Sequence, residues 1–180
     1  MGYKYNETEI LDAAVQAALE DGLSRLTFGR LAKRLGIADR SIVYYFPTKA
    51  DLLTQTIARI GGQLKDLLED GFGAEPLSET ELLKRAWPTL TGPHADEVFA
   101  IFFELVGLGA ARIDPFEAMS RAVMSDWLEW VIPRIDAPDA KAARSAALSL
   151  LATLDGLLLT RHTLGEQAAE DAAANLGITH

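Results

Sequence analysis

The 23 residues from Thr27 to Lys49, TFGRLAKRLGIADRSIVYYFPTK, leave room for one kind of local structure. Leu31, Ala32, Leu35, Ile37, Ile42 and Val43 supply apolar contacts for two short helices. Gly36 falls between them, where a tight turn needs a residue that tolerates positive φ. Thr27 can cap the first helix by accepting from an otherwise unpaired backbone N–H. Pro47 stops the second soon after Phe46, because proline cannot donate and restricts the residue before it. Two short helices joined through a glycine turn make a helix-turn-helix. Its second helix is shaped to enter a DNA major groove.

Charge points the same way. Between Arg25 and Lys49 stand six basic residues (Arg25, Arg30, Lys33, Arg34, Arg40, Lys49) and one acid, Asp39, whereas the chain as a whole carries −9. A cationic island on an acidic body orients a protein on a polyanion. The early residues of the second helix are the ones that would see base edges. There Arg40 suits a bidentate contact to guanine, Asp39 can accept from a cytosine amine, and Ser41 can do either or touch phosphate. Thr27, Arg30, Tyr44, Tyr45 and Lys49 suit the sugar–phosphate backbone, which sets register without reading sequence. Two alternatives stay open: Asp39 as a helix cap, and Tyr44 as a core residue with its hydroxyl at the surface.

The run from Ile10 to Ile57 resembles the N-terminal domain of the TetR/AcrR family of transcriptional regulators. The resemblance is carried by ILDAAVQAALEDGLSRLT and LAKRLGIADRSIVYYFPTKADLL, most specifically by Gly36-Ile37-Ala38 and by Tyr44 to Leu53. Two positions depart from the family pattern. Val43 stands where an aromatic is usual, and Ala38 where a capping serine is common, leaving Asp39 either to take over the cap or to point at a base. The resemblance implies a homodimer and an apolar small-molecule pocket in the C-terminal body, with repression as the usual mode.

The rest of the chain reads as helix throughout. Asn6-Glu7-Thr8-Glu9 forms a capping box for a first helix that Gly22 ends. A long helix follows from about Lys49 to Asp70, interrupted by Gly61-Gly62. That pair marks either close packing, the favoured reading, or a bend. Ser78-Glu79-Thr80-Glu81 opens another helix with a second box, and Pro88 ends or kinks it. An apolar helix runs from Thr91 to Arg112. Asp114-Pro115-Phe116-Glu117 starts the next, to about Val131 and Pro133. Pro138 opens a long helix broken at Gly165, and an alanine-rich helix closes before Gly177. The expectation is an all-α chain of about nine helices. Residues 1–48 form a three-helix helix-turn-helix DNA-binding domain, and 49–180 a helical ligand-binding and dimerisation domain, with the fourth helix as a shared rod.

Composition narrows the function. With no cysteine and three histidines, neither a disulfide framework nor a convincing zinc set can form. No Glu-x-x-His pair, nucleophile elbow or phosphate-binding glycine loop occurs, so no catalytic role, cofactor or metal is expected. The N-terminus lacks the apolar core of a signal peptide, and the charge-free run Ser145 to Leu154 is too short to span a bilayer. The expected setting is the cytoplasm.

One reading module makes few contacts, so a two-fold dimer on a near-palindromic operator is expected. Its faces would be the last two helices, through Ala142, Ala143, Ala146, Ala147, Leu150, Leu151, Leu154 and Leu158 on one and Ala168, Ala169, Ala172, Ala173 and Leu176 on the other. The alternative is that these faces pack inside the subunit. Trp87, Phe99, Phe102, Phe103, Trp127, Trp130 and Asp155 are the candidate lining of a pocket for a hydrophobic effector. Phe116 is a further aromatic, and His94, Glu104, Arg112 and His162 are further polar candidates. A helical scaffold without DNA binding is the competing class.

Overall fold

A computed structural model describes residues 5–92 and 95–179. Among them are nine α-helices: α1 (Glu7–Asp21), α2 (Phe28–Leu35), α3 (Asp39–Tyr45), α4 (Lys49–Phe72), α5 (Glu79–Leu90), α6 (Ala95–Ala110), α7 (Phe116–Val131), α8 (Ala140–Leu164) and α9 (Glu166–Asn175). A 3-10 turn, Ile132–Arg134, follows α7. The described residues hold no strand, only an isolated bridge between Leu77 and Ile135. The all-α expectation is met.

Helix starts follow the capping chemistry. Asn6 accepts from Glu9 N at 2.9 Å while Glu9 returns a carboxylate to Asn6 N at 2.8 Å, a complete box. Ser78 accepts from Glu81 N at 3.2 Å, but the Glu81 carboxylate takes the Arg85 guanidinium at 2.8 Å instead of reaching back. The second box is therefore half made. Asp139 caps α8 through Ala142 N at 2.8 Å. Pro88 does not end α5, which continues to Leu90.

Contacts divide the chain into two compact units. One comprises the residues up to Gln63 with Ala100–Met119; the other comprises Leu64–Phe99 and the residues from Ser120 onward. The first unit is built round Ile10, Ala14 and Ala18 of α1, Leu31 of α2, Ile42 of α3, Leu52 and Leu53 of α4 and Leu105 of α6, all at most 1% exposed. Burying each of the leucine and isoleucine side chains stabilises by about 1.5–3 kcal/mol. Thr56 is buried among them, its hydroxyl donating to the Leu52 carbonyl at 2.7 Å.

The second unit packs α8 against α5 and α9. Ala143, Ala147, Leu150, Leu154 and Leu158 of α8, and Ala169 and Ala173 of α9, are buried within it. Ala142, Ala146, Leu151, Ala168 and Ala172 are half-buried. For the buried ones this is the alternative left open for these faces: they serve helix contacts inside the subunit, where small residues let neighbouring helices approach closely. The apolar side chains left outside are Leu148, Leu159 and Leu164 of α8 and Leu176 beyond α9, between 47% and 75% exposed. By length and composition alone, α8 could cross a membrane; one face of it is taken up by α5 and α9.

The glycine pair also departs from expectation. α4 runs unbroken through Gly61 and Gly62, and a Cβ at either would meet nothing within 4 Å. Close packing is therefore not their reason. Alanine at each position should stabilise the helix by about 1 kcal/mol, since it removes backbone freedom without a clash. Denaturant unfolding of Gly61→Ala and Gly62→Ala checks this; a loss of stability in either would mean that the site needs glycine after all.

Candidate nucleic-acid interface

Residues 27–49 form the expected pair of helices. Thr27, in extended conformation, accepts from Arg30 N at 3.3 Å and so caps α2. Gly36 turns the chain with φ +63, and Ile37 N donates to the Ala32 carbonyl at 3.1 Å. α3 begins after Ala38 and is held by Ile42 and Phe46, both at 0% exposure. The faces between those anchors point outward. Asp39 and Arg40 are exposed, Tyr44 is 65% exposed and Ser41 and Tyr45 are half-buried.

One detail differs from the sequence reading, and two alternatives left open there are decided. Val43 is 39% exposed instead of joining the core. Spaced one residue from Ile42 on a helix, it points away from the face that Ile42 and Phe46 bury. Asp39 is the first helical residue and makes no capping bond; the N-cap is Ala38, without a side-chain acceptor. Asp39's remaining local role is to favour the positive end of α3 by charge. Tyr44 is not a core residue; its ring meets that of Tyr45 edge-on at 5.0 Å.

Lys49 opens α4 and is exposed. That helix start is a capping box the sequence reading missed. Thr48 N donates to the Asp51 carboxylate at 2.9 Å, and Asp51 N donates to the Thr48 hydroxyl at 3.1 Å. The Thr-x-x-Asp spacing was its signal.

Not every cation of the island is free to meet an anion. Arg34 forms a two-point pair with Glu20 at 2.6 and 2.7 Å. The Arg34 hydrogen bonds hold the Glu20 carboxyl below its usual range, and Glu20 raises the Arg34 guanidinium in turn. Arg25, Arg30 and Lys33 line, with Arg34, Ala17, Asp21 and Leu26, a shallow concavity of about 430 Å³. Exposed cations there and at Arg40 and Lys49 can hold a phosphate-rich surface.

Glu104, expected among the polar groups of a ligand pocket, is elsewhere: its carboxylate accepts from Leu23 N at 2.7 Å and Ser24 N at 2.9 Å. Eighty residues separate the partners, and no local pattern announces the pairing.

The expected pocket residues are drawn from both units. Phe102 and Phe103 lie in the first unit, their rings 5.5 Å apart. Trp87, Phe99, Trp127, Trp130 and Asp155 lie in the second. Trp87 is 2% exposed and donates from Nε1 to Glu170 at 2.9 Å. Trp127 and Trp130 meet edge-on at 5.4 Å and are faced by the chain's own cations. Lys65 Nζ, paired with Asp126, stands 5.2 Å from the Trp127 ring, and the Arg134 guanidinium carbon 3.8 Å from that of Trp130. Burial pushes the Asp155 carboxyl up to about 6. Phe116 is core, Arg112 and His162 are exposed, and His94 lies outside the described residues. Among the described residues no group of three or more His, Cys, Asp or Glu could hold a metal ion.

Comparison with known proteins bears on this arrangement. Residues 10–56 match the family described as bacterial regulatory proteins, tetR family. Over 89 residues the chain is 32% identical to the HTH-type transcriptional regulator BetI of Escherichia coli O45:K1, a match covering 49% of this chain and 44% of that protein. The chain thus spans under half the length of the curated relatives it matches. Two solved structures share the fold along nearly the whole chain. A TetR transcriptional regulator from Legionella pneumophila superposes with a TM-score of 0.68 at 20% identity, over 98% of this chain and 97% of that one. A transcriptional regulator from Saccharomonospora viridis, in complex with choline, does so with a TM-score of 0.68 at 17% identity, over 93% and 91%. At such identities the likeness is one of fold.

Proposed function

We propose that the chain, whose residues 10–56 match the tetR family of bacterial regulatory proteins, is a cytoplasmic repressor that binds double-stranded DNA as a homodimer. Its operator is a near-palindrome, read by α3 of each subunit. One observation carries this reading: α3 is anchored by two fully buried side chains and presents Arg40 and Tyr44 outward from the one cationic stretch of an acidic chain. Arg40 and Ser41 read bases, with Asp39 beside them. Thr27, Arg30, Tyr44, Tyr45 and Lys49 contact the backbone.

The second copy docks through α8 and α9. The residues that support this are the exposed Leu148, Leu159, Leu164 and Leu176 rather than the small residues already packed within the subunit. A small hydrophobic effector acts on the helical body, with Trp87, Phe99, Trp127, Trp130 and Asp155 of the second unit, and separately Phe102 and Phe103 of the first, as the candidate contacts. The choline held by the Saccharomonospora viridis regulator is a precedent for a small molecule in this fold. Effector and operator then weaken each other reciprocally, typically by about 1–3 kcal/mol.

A salt titration tests the proposal. Affinity for a duplex selected from a randomised pool should fall linearly on a log–log plot with rising salt. Arg40→Ala should lose about 1–3 kcal/mol at one base position and relax the preference there. If repeated selection with the variant returns an unchanged site, Arg40 is not part of the readout. If the wild type selects nothing even in dilute buffer, the chain is a helical scaffold.

A further inference from the structure

α1 ends at Gly22, whose φ of +91 redirects the chain into the turn before α2. The next two backbone N–H groups, of Leu23 and Ser24, both donate to one carboxylate, Glu104 on α6, at 2.7 and 2.9 Å. Successive N–H groups converging on an anion make a strong, directional cradle. Gly22 is part of it, because a Cβ there would stand 2.8 Å from Glu104 Oε2. The arrangement is not a helix-dipole effect: a carboxylate beside the C-terminal end of α1 is repelled by that dipole. Burial works to raise the Glu104 carboxyl, but the bonds from Ser24 and Leu23 and the charge of Arg25 outweigh it and hold the group below the usual range. It is ionised at neutral pH.

The turn leads directly into the cationic concavity. Leu23 and Leu26 bury its apolar side, and Arg25 between them lines the surface shared with Arg30 and Lys33. Residues 100–119 share a compact unit with α1, α2, α3 and the first part of α4. We propose that Glu104 is a positioning residue for DNA binding: it fixes the α1–α2 turn, and through it Arg25, against the phosphate backbone, so that α6 governs a DNA contact directly. This rests on the DNA-binding reading above.

The test uses the full chain and three variants. Glu104→Ala removes both acceptors, and Glu104→Gln keeps one neutral acceptor oxygen. Leu105→Val, at a neighbouring α6 position 1% exposed, loosens the same helix without touching the turn. Amide hydrogen exchange at Leu23 and Ser24 should speed up at least about tenfold in Glu104→Ala. Affinity for the duplex recovered by the wild type should fall on the order of tenfold, and the salt slope should shrink by about one as the Arg25 contact is lost. Glu104→Gln should fall between wild type and alanine. Leu105→Val should keep the wild-type slope. Equal slopes and affinities for Glu104→Ala and Leu105→Val, or unchanged exchange at the two amides, overturn this inference alone. A wild-type protein that recovers no duplex overturns the DNA-binding reading and this inference with it.

Discussion

Phe46→Ala should lower the stability of the first unit by about 3–5 kcal/mol and, with it, abolish duplex binding. Phe46 is completely buried, and its N–H donates to the Ile42 carbonyl at 2.9 Å. It closes α3 from below while Pro47 prevents the helix from continuing. Truncation would remove the aromatic anchor and leave a cavity beneath the helix that carries Arg40. Against a total of about 5–15 kcal/mol for a typical domain, that loss is large. Urea unfolding followed by circular dichroism, with Phe46→Leu alongside, measures it. The leucine variant should lose less, because most of the apolar volume is retained. A midpoint for Phe46→Ala indistinguishable from the wild type would show that α3 is not anchored there.

Asp155→Asn should do the opposite and stabilise the protein at neutral pH. Asp155 lies midway along α8 between buried leucines at 154, 157 and 158, and burial pushes its carboxyl up to about 6 from an ordinary value of 3.8. The sign follows from proton binding. Between those two values the folded state holds a proton that the unfolded chain has released, so stability rises as pH falls from about 7 towards 4. At pH 7 the charged form costs roughly 3 kcal/mol, taking the shift as about two units. Asparagine removes the charge, and an expected gain of about 1–3 kcal/mol allows for its own unmet hydrogen bonds. The check is a set of unfolding curves at several pH values for both proteins. The wild type should gain stability on acidification over this range, and the variant should show a flatter profile. A wild-type curve that is flat, or an asparagine variant that is weaker at pH 7, would show the carboxylate to be stabilised in the folded state.

Helix boundaries were legible where the signal is local. Asn6 with Glu9, Thr27, Gly36 and Gly165 all act through partners three to five residues away, so their spacing alone specifies the bond. The outward face of α3 was legible for the same reason, since Ile42 and Phe46 are one helical turn apart. Where reading failed, the missing information was tertiary. Pro88 sits inside α5 because neighbouring packing outweighs one lost hydrogen bond. Gly61 and Gly62 looked like a close approach, yet open space surrounds them. The small residues of α8 and α9 matched either a partner subunit or a neighbouring helix, and periodicity cannot separate those two faces.

Taken alone, the order of residues determined an all-helical chain, the position of its turn between α2 and α3, and the cationic stretch on which the DNA-binding proposal rests. These depend on contacts within a turn or two of helix and on summed charge. Only the folded chain decided that Arg34 is occupied by Glu20, that Lys65 and Arg134 face the tryptophans, and that Glu104 grips a turn eighty residues away. Each is a meeting of side chains or backbone groups distant in sequence, and nothing local encodes which of several like charges will be brought within reach.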